Sequence, residues 1–326
     1  MIKRLAIIFC LFATALLATQ SVKTVNGLAI ASVKTMDQLA IASVKTVNGL
    51  DNTSGGGGGL PIDSYSSDLL AAYSVPRRLL TSYTGNLIKI RRSSDDTTSD
   101  IGYNGSNELD TSAISTFVSS NSAYIHTIYD QSGNGNNLVS TTNSLQMRIV
   151  NSGTLDTLAS KPVAYNANGV NGSGYSTATF TTYTGTTISC FARGLSGSEG
   201  YVRFVSLTKD SANDDSAASV SALLLMDNGT TNWRSYRSGF YGSIATPGTS
   251  DGLISVIADG TNNIMRDGTN TSTVAISTAW NINTINLGNQ RQGVSGIGSG
   301  SKCSELVLWT SDQTANEAAI RSALTY

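Results

Sequence analysis

Tight-turn dipeptides set between short apolar runs constrain this chain more than any other feature. Asn228-Gly229, Asp259-Gly260 and Asp267-Gly268 close or separate the stretches SALLLMDNG, LISVIADG and NIMRDG, and TVAIS follows them. Asn or Asp followed by Gly tolerates the positive φ of a two-residue hairpin turn, so this spacing predicts antiparallel strands. FVSLTKD, INLGN and SELVLW extend the pattern, and residues 86–92 (NLIKIRR) and 124–129 (YIHTIY) alternate as half-buried strands do. Few helices are expected. One opens at Ser67, uses the apolar spacing of Leu69, Leu70, Ala72 and Tyr73, and ends before Pro76. A second is capped by Asp110 and runs through Val118, and a third covers 314–324.

The N-terminal region has a different organisation. Lys3 and Arg4 precede an apolar run over residues 5–18 (LAIIFCLFATALLA), the pattern of a signal peptide-like segment at 1–18 that directs export. That run is shorter than the roughly 20 residues a membrane span needs, so no stable transmembrane anchor is expected; a buried or membrane-apposed N-terminal element is the other reading. Cys10 lacks the small-residue box of a lipoprotein signal. SVKTVNGLAIA from Ser21, SVKTMDQLAIA from Ser32 and SVKTVNGLDN from Ser43 repeat with an 11-residue period. Strand-like LAIASVKT alternating with turns at Asn26-Gly27, Asp37-Gln38 and Asn48-Gly49 predicts a small β-meander over 19–52. The same period also fits a helix of about 3.67 residues per turn, although Ser-Val, Thr-Val and Asn-Gly are poor helix formers. So small a meander is marginal alone, so residues 19–52 are expected to form a homo-oligomer or join a larger assembly. Five glycines at 55–59 make 53–60 a flexible linker, and 61–326 remains for one large domain.

Charge and titratable residues narrow the function. Among 326 residues, 21 Lys and Arg oppose 22 Asp and Glu, which leaves no basic footprint for nucleic acid. A single histidine, His126, in an alternating strand, argues against histidine-dependent chemistry. No Cys/His cluster has metal-ligand spacing and no nucleotide motif is present, so neither metal nor other cofactor is expected. Cys190 and Cys303 sit in strand-like stretches where either one disulfide or two buried thiols fits.

Two stretches carry a family resemblance. Residues 71–102 (AAYSVPRRLLTSYTGNLIKIRRSSDDTTSDIG) and 128–138 (IYDQSGNGNNL) resemble the catalytic domain of α-L-arabinofuranosidase B-type glycosidases. The resemblance covers roughly residues 65–326, strongly to about 170 and weakly after, and implies an all-β, concanavalin-like jelly-roll β-sandwich with a few short helices. INLGN followed by SELVLW and a short helix is also similar to laminin-G-like lectin modules. The repeats joined by glycines to such a head resemble virion or cell-surface appendage proteins of bacteria and their phages, which implies an extracellular, cell-surface or virion-surface location by analogy.

The retaining mechanism of this family needs two carboxyl groups about 5 Å apart. The resemblance sets the nucleophile, a Glu followed by Asn, against Asp227-Asn228, where Asp is one methylene shorter. Asp227 equally fits a turn acid before Asn228-Gly229. The acid/base, an Asp soon after a Leu-Gly, corresponds to residues 287–293 (LGNQRQG), which hold no carboxylate, and the adjacent cysteine pair is missing beside Cys190. These departures favour a glycan-binding, non-catalytic sandwich over an arabinofuranosidase-type hydrolase of arabinose-containing polysaccharide. Asn228, Trp233, Tyr236 and Tyr241 are the candidate glycan contacts, because aromatic rings stack on sugar faces while amides bond hydroxyls. The same aromatics, Phe240 included, also fit a packed strand pair. Asp95, Asp96, Asp100 and Asp130 read as framework residues that cap turns, with Arg91 or Arg92 pairing Asp130.

Overall fold

The computed structural model describes residues 59–167, 174–195, 202–209, 252–267, 269–288 and 300–325, and backbone strands at 24–25, 28–29, 35–36, 39–40, 46–47, 50–51, 226–227, 232–237 and 240–245. Met1–Leu60 and Pro61–Tyr326 are separate compact units.

In the first unit each repeat pairs two short strands antiparallel: Thr24–Val25 with Leu28–Ala29, Thr35–Met36 with Leu39–Ala40, and Thr46–Val47 with Leu50–Asp51. The described strands are two residues long, and each pairs only within its own repeat among the described residues. The segments that would join the repeats into the expected small meander, 30–34 and 41–45, lie outside the described residues.

The second unit is an antiparallel sandwich. Its strands are β1 (Leu69–Ser74), β2 (Ile88–Arg92), β3 (Thr98–Ile101), β4 (Ala123–Ile128), β5 (Arg148–Asn151), β6 (Ala164–Tyr165), β7 (Thr187–Leu195), β8 (Val202–Arg203) and β9 (Val205–Thr208). There follow β10 (Met226–Asp227), β11 (Asn232–Arg237), β12 (Phe240–Ala245), β13 (Gly252–Asp259), β14 (Asn262–Arg266), β15 (Thr271–Ala275), β16 (Thr284–Leu287) and β17 (Lys302–Trp309). Helix α1 (Thr111–Val118) separates β3 from β4, and α2 (Glu317–Leu324) follows β17. One sheet runs β9-β16, through Tyr175–Ser176 and Leu138–Val139, to β4-β5-β6-β17-β7-β13-β14-β15, with β1 on β17, β2 on β4 and β3 on β2. β8, β10, β11 and β12 make a second sheet of four strands.

The sheet folds over on itself around one core. Ile88, Ile90, Ile125 and Ile149 meet Ile188, Val256, Leu306 and Leu308 inside it. α2 covers the other face of β7, β13 and β17, where Ile320 and Leu324 join Phe191, Val307 and Trp309 in a second cluster. Phe191 and Trp309 meet edge to face at 5.5 Å and 79°. Each such large apolar side chain, when fully buried, contributes roughly 1.5–3 kcal/mol.

The helix expected from Ser67 is instead β1. Ala71 and Tyr73 enter the main core while Ala72 enters the second, so both faces of LLAAYS are covered. A nearly continuous apolar run suits a doubly buried strand as well as a helix, and pairing with β17 (Ser74 opposite Glu305, Leu69 opposite Trp309) decides between them. α1 forms as predicted, with Asp110 accepting from the Ala113 N–H. At the β13–β14 turn Gly260 has φ +100°, and Asp259 accepts from the N–H groups of Thr261 and Asn262. Gly194 marks a close approach, because a Cβ there would collide with the Lys302 carbonyl oxygen and the Phe204 ring. Cys190 and Cys303 are both buried free thiols: Cys190 stands opposite Leu308 on β17, while Cys303 stands opposite Gly194.

Candidate functional site

The acids of the resembling segments hold the framework. Asp130 is 4% exposed, and its carboxylate accepts from Ala72 N, Ser132 N, Ser132 Oγ and Asn136 N at 2.8–3.0 Å. Beside it the Gln131 carboxamide accepts from Leu79 N and donates to the Arg77 carbonyl. Asn134 and Asn136 reach back to the carbonyls of Leu69 and Leu70, so the YDQSGNGNN loop is stitched to β1. Burial, with the Asp130 charge adding to it, raises the Tyr73 phenol well above its ordinary pKa, and Tyr73 donates to the Asn136 carbonyl.

The predicted tie between Asp130 and Arg91 or Arg92 does not form. Arg91 binds Asp96 and Gln146, while Arg92 binds Asp95 and the Phe117 carbonyl. Each arginine takes the acid of its own β2–β3 hairpin, and four donors already satisfy Asp130. Asp100 accepts from the Tyr129 hydroxyl at 2.5 Å. His126 lies half-buried with Nδ1 2.8 Å from Thr127 Oγ1, and burial, then Lys89 and Arg91, lower its pKa.

The candidate chemical residues gather on the four-stranded sheet. Asp227 is in register with Val202 on one side and Trp233 on the other, and Tyr236 is in register with Tyr241. Asn228 and residues 289–299 lie outside the described residues. The Trp233 indole is 6% exposed and meets Phe204 edge to face at 5.7 Å and 85°. It is therefore part of the core, the packing alternative open to it in the sequence. On the same strand the Ser235 hydroxyl accepts from Asn263 Nδ2 at 3.1 Å, tying β11 to β14. Among the described residues no group of three or more His, Cys, Asp or Glu side chains could hold a metal. No helix among them is long and apolar enough to cross a membrane.

Sequence reasoning missed two buried carboxylates. Glu305 is 1% exposed inside SELVLW and receives both Arg77 Nε at 2.7 Å and Ser74 Oγ at 3.1 Å. Glu317, at the start of α2, accepts from Ser255 and from Arg266. A lone acid within an apolar strand was the legible signal for the first, since a buried carboxylate must be paired.

The family model described as alpha-L-arabinofuranosidase B, catalytic, matches residues 61–213. Alpha-L-arabinofuranosidase B of Aspergillus niger is 42% identical over 82 residues, 24% of this chain and 16% of that protein. An arabinofuranosidase/B-xylosidase of Trichoderma koningii is 40% identical over 81 residues, again 16% of its length. The match thus spans about a sixth of these curated relatives. Among solved structures, an α-L-arabinofuranosidase soaked with a cyclic sulfate inhibitor is similar with a TM-score of 0.61 at 19% identity, over 81% of this chain and 65% of the other. An arabinofuranosidase complexed with arabinofuranosyl-α-1,2-xylobiose gives 0.56 at 20% identity over the same shares. The fold is therefore the all-β sandwich of these proteins.

Proposed function

We propose, on the premise that residues 61–326 form a sandwich like the catalytic domain of α-L-arabinofuranosidase B, that this domain is a glycoside-hydrolase-type module directed at α-L-arabinofuranosyl groups of a polysaccharide. The observation that carries this reading is the family match over 61–213. The shared sandwich over 81% of the chain supports it. Asp227 is the nucleophile of this reading. A retaining site also needs a proton donor for the leaving oxygen, a role worth roughly a hundredfold or more. Residues 287–293 hold no carboxylate to fill it. The site is accordingly expected to act best on glycosides whose leaving group departs without a proton.

That absence supports a second reading, in which the sandwich binds arabinofuranosyl groups without cleaving them. The apolar run at 5–18 and the 11-residue repeats support export of this module and its display by a self-associating N-terminal segment at a cell or virion surface. Hydrolysis of an aryl α-L-arabinofuranoside by the full chain tests the first reading, with Asp227→Ala as control and azide as substitute nucleophile. Turnover that falls to background in the variant and returns with azide is the expected outcome. Binding of arabinofuranosyl oligosaccharides in calorimetry with no turnover establishes the second reading. Absence of both overturns the arabinofuranosyl assignment.

A further inference from the structure

The outer face of the main sheet carries a row that the hydrolase reading leaves unused. Arg91 on β2 stands opposite Tyr124 on β4, and Tyr124 opposite Arg148 on β5. Arg148 in turn stands opposite Tyr165 on β6, and Tyr165 opposite Lys302 on β17. Cation and phenol thus alternate across five adjacent strands, about 19 Å at the usual strand spacing. The next residues along these strands, Ala123, Ile125, Ile149, Ala164 and Cys303, are in the core, which sets the row on the opposite face. The Arg91 guanidinium carbon lies 5.2 Å from the Tyr124 ring centre. That of Arg148 lies 4.9 Å, and Lys302 Nζ 5.9 Å, from the Tyr165 ring centre.

The row is held in place from below and at its sides. Arg91 Nε donates to Gln146 and Nη1 to Asp96, while Arg148 Nε and Nη2 grip Asp156 with two bonds. Lys302 Nζ donates to the Thr157 carbonyl. Among the described residues the remaining groups have no protein partner: Nη2 of Arg91, Nη1 of Arg148, the other two Nζ protons, and the hydroxyls of Tyr124 and Tyr165. Tyr124, Arg148, Tyr165 and Lys302 are all half-buried, hence reachable from solvent, whereas Arg91 is 8% exposed and anchors the end of the row. With cations beside the rings, the face offers hydrogen-bond donors in a line rather than an open stacking surface. Three cations against Asp96 and Asp156 leave it positive, on a chain whose net charge is −1. A carboxylate accepts only and guanidinium edges match its planar geometry, so a donor-rich, positive face suits it better than a neutral sugar.

We propose that this arginine–tyrosine–lysine row is a binding face for a carboxylate-bearing polysaccharide, a uronic-acid polymer, separate from the arabinofuranosyl site. Pre-ordered side chains lower the entropic cost of engaging successive carboxylates. The test is affinity electrophoresis of the full chain in gels containing polygalacturonate, neutral arabinoxylan or a sulfated polysaccharide. Lys302→Gln and Tyr165→Phe, which leave both Asp-paired arginines in place, are run beside it and combined, with unfolding midpoints measured to confirm the fold. Polygalacturonate is expected to retard the native chain, with affinity about tenfold lower in the double variant and declining with added salt. Equal retardation by arabinoxylan, retention by the sulfated polymer alone, or unchanged binding in the double variant would each overturn the proposal.

Discussion

Among the described side chains, several buried polar groups tie the framework around β1, β2, β4 and β17, whereas one, Ser235, ties the small sheet of β8, β10, β11 and β12. In the framework, Asp130, Gln131, Glu305 and Asp156 are fixed to backbone amides or guanidinium groups and hold loops against strands. The small sheet bears Asp227 and the aromatic cluster, and there the described side chains are the buried Trp233 and Ser235. The family match ends at residue 213, short of Asp227 and of 287–293. The matched stretch therefore includes Asp130 and Gln131 of the scaffold and stops before the residues to which the proposed chemistry is assigned. Scaffold and activity are separable because a fold does not fix the chemistry of the site it carries.

The largest effect that bears on this contrast is Trp233→Ala. Removing an indole packed on Phe204 should cost about 4 kcal/mol in urea unfolding. A loss below about 1 kcal/mol would remove Trp233 from the core and return it to the sugar-binding candidates. Next, Asp130→Ala strands the N–H groups of Ala72, Ser132 and Asn136, and about 3 kcal/mol should be lost. An unchanged midpoint would mean that this acid is not part of the scaffold. Glu305→Gln keeps the shape but weakens the bonds from Arg77 and Ser74, an expected loss of about 2 kcal/mol by the same measurement.

The smallest expected effect is acid sensitivity. Burial pushes the Asp259 carboxyl up, but donors on Thr261 and Asn262 outweigh it and bring the pKa to about 2, below the ordinary 3.8. The Arg92 hydrogen bond, then Thr97, likewise lowers Asp95. Folded pKa values below the unfolded ones contribute stability that is complete above about pH 4 and lost as pH falls toward 2. The urea midpoint should decline over that window, less steeply in Asp259→Asn. An identical slope in the variant would assign the acid sensitivity to other carboxylates.

The hairpin strands, α1 with its Asp110 cap and the closing helix were legible in the sequence because turn, cap and alternation signals act over a few residues. The framework role of Asp130 was legible for the same reason, since Asp before Ser and Gly forms local turns. Its partners were not: Ala72 lies 58 residues away along the chain. β1 was misread because its apolar run fits two periodicities and only the Glu305 strand, more than 200 residues later, selects one. Nor does any local pattern reveal the row from Arg91 to Lys302, whose members are scattered over five strands and meet by register alone. By itself the sequence determined the class of fold, because turn, alternation and cap signals are local. The tertiary structure decided which apolar run became a strand, which acids were buried and paired, and which polar side chains share a face, because those outcomes depend on contacts between segments that no short window contains.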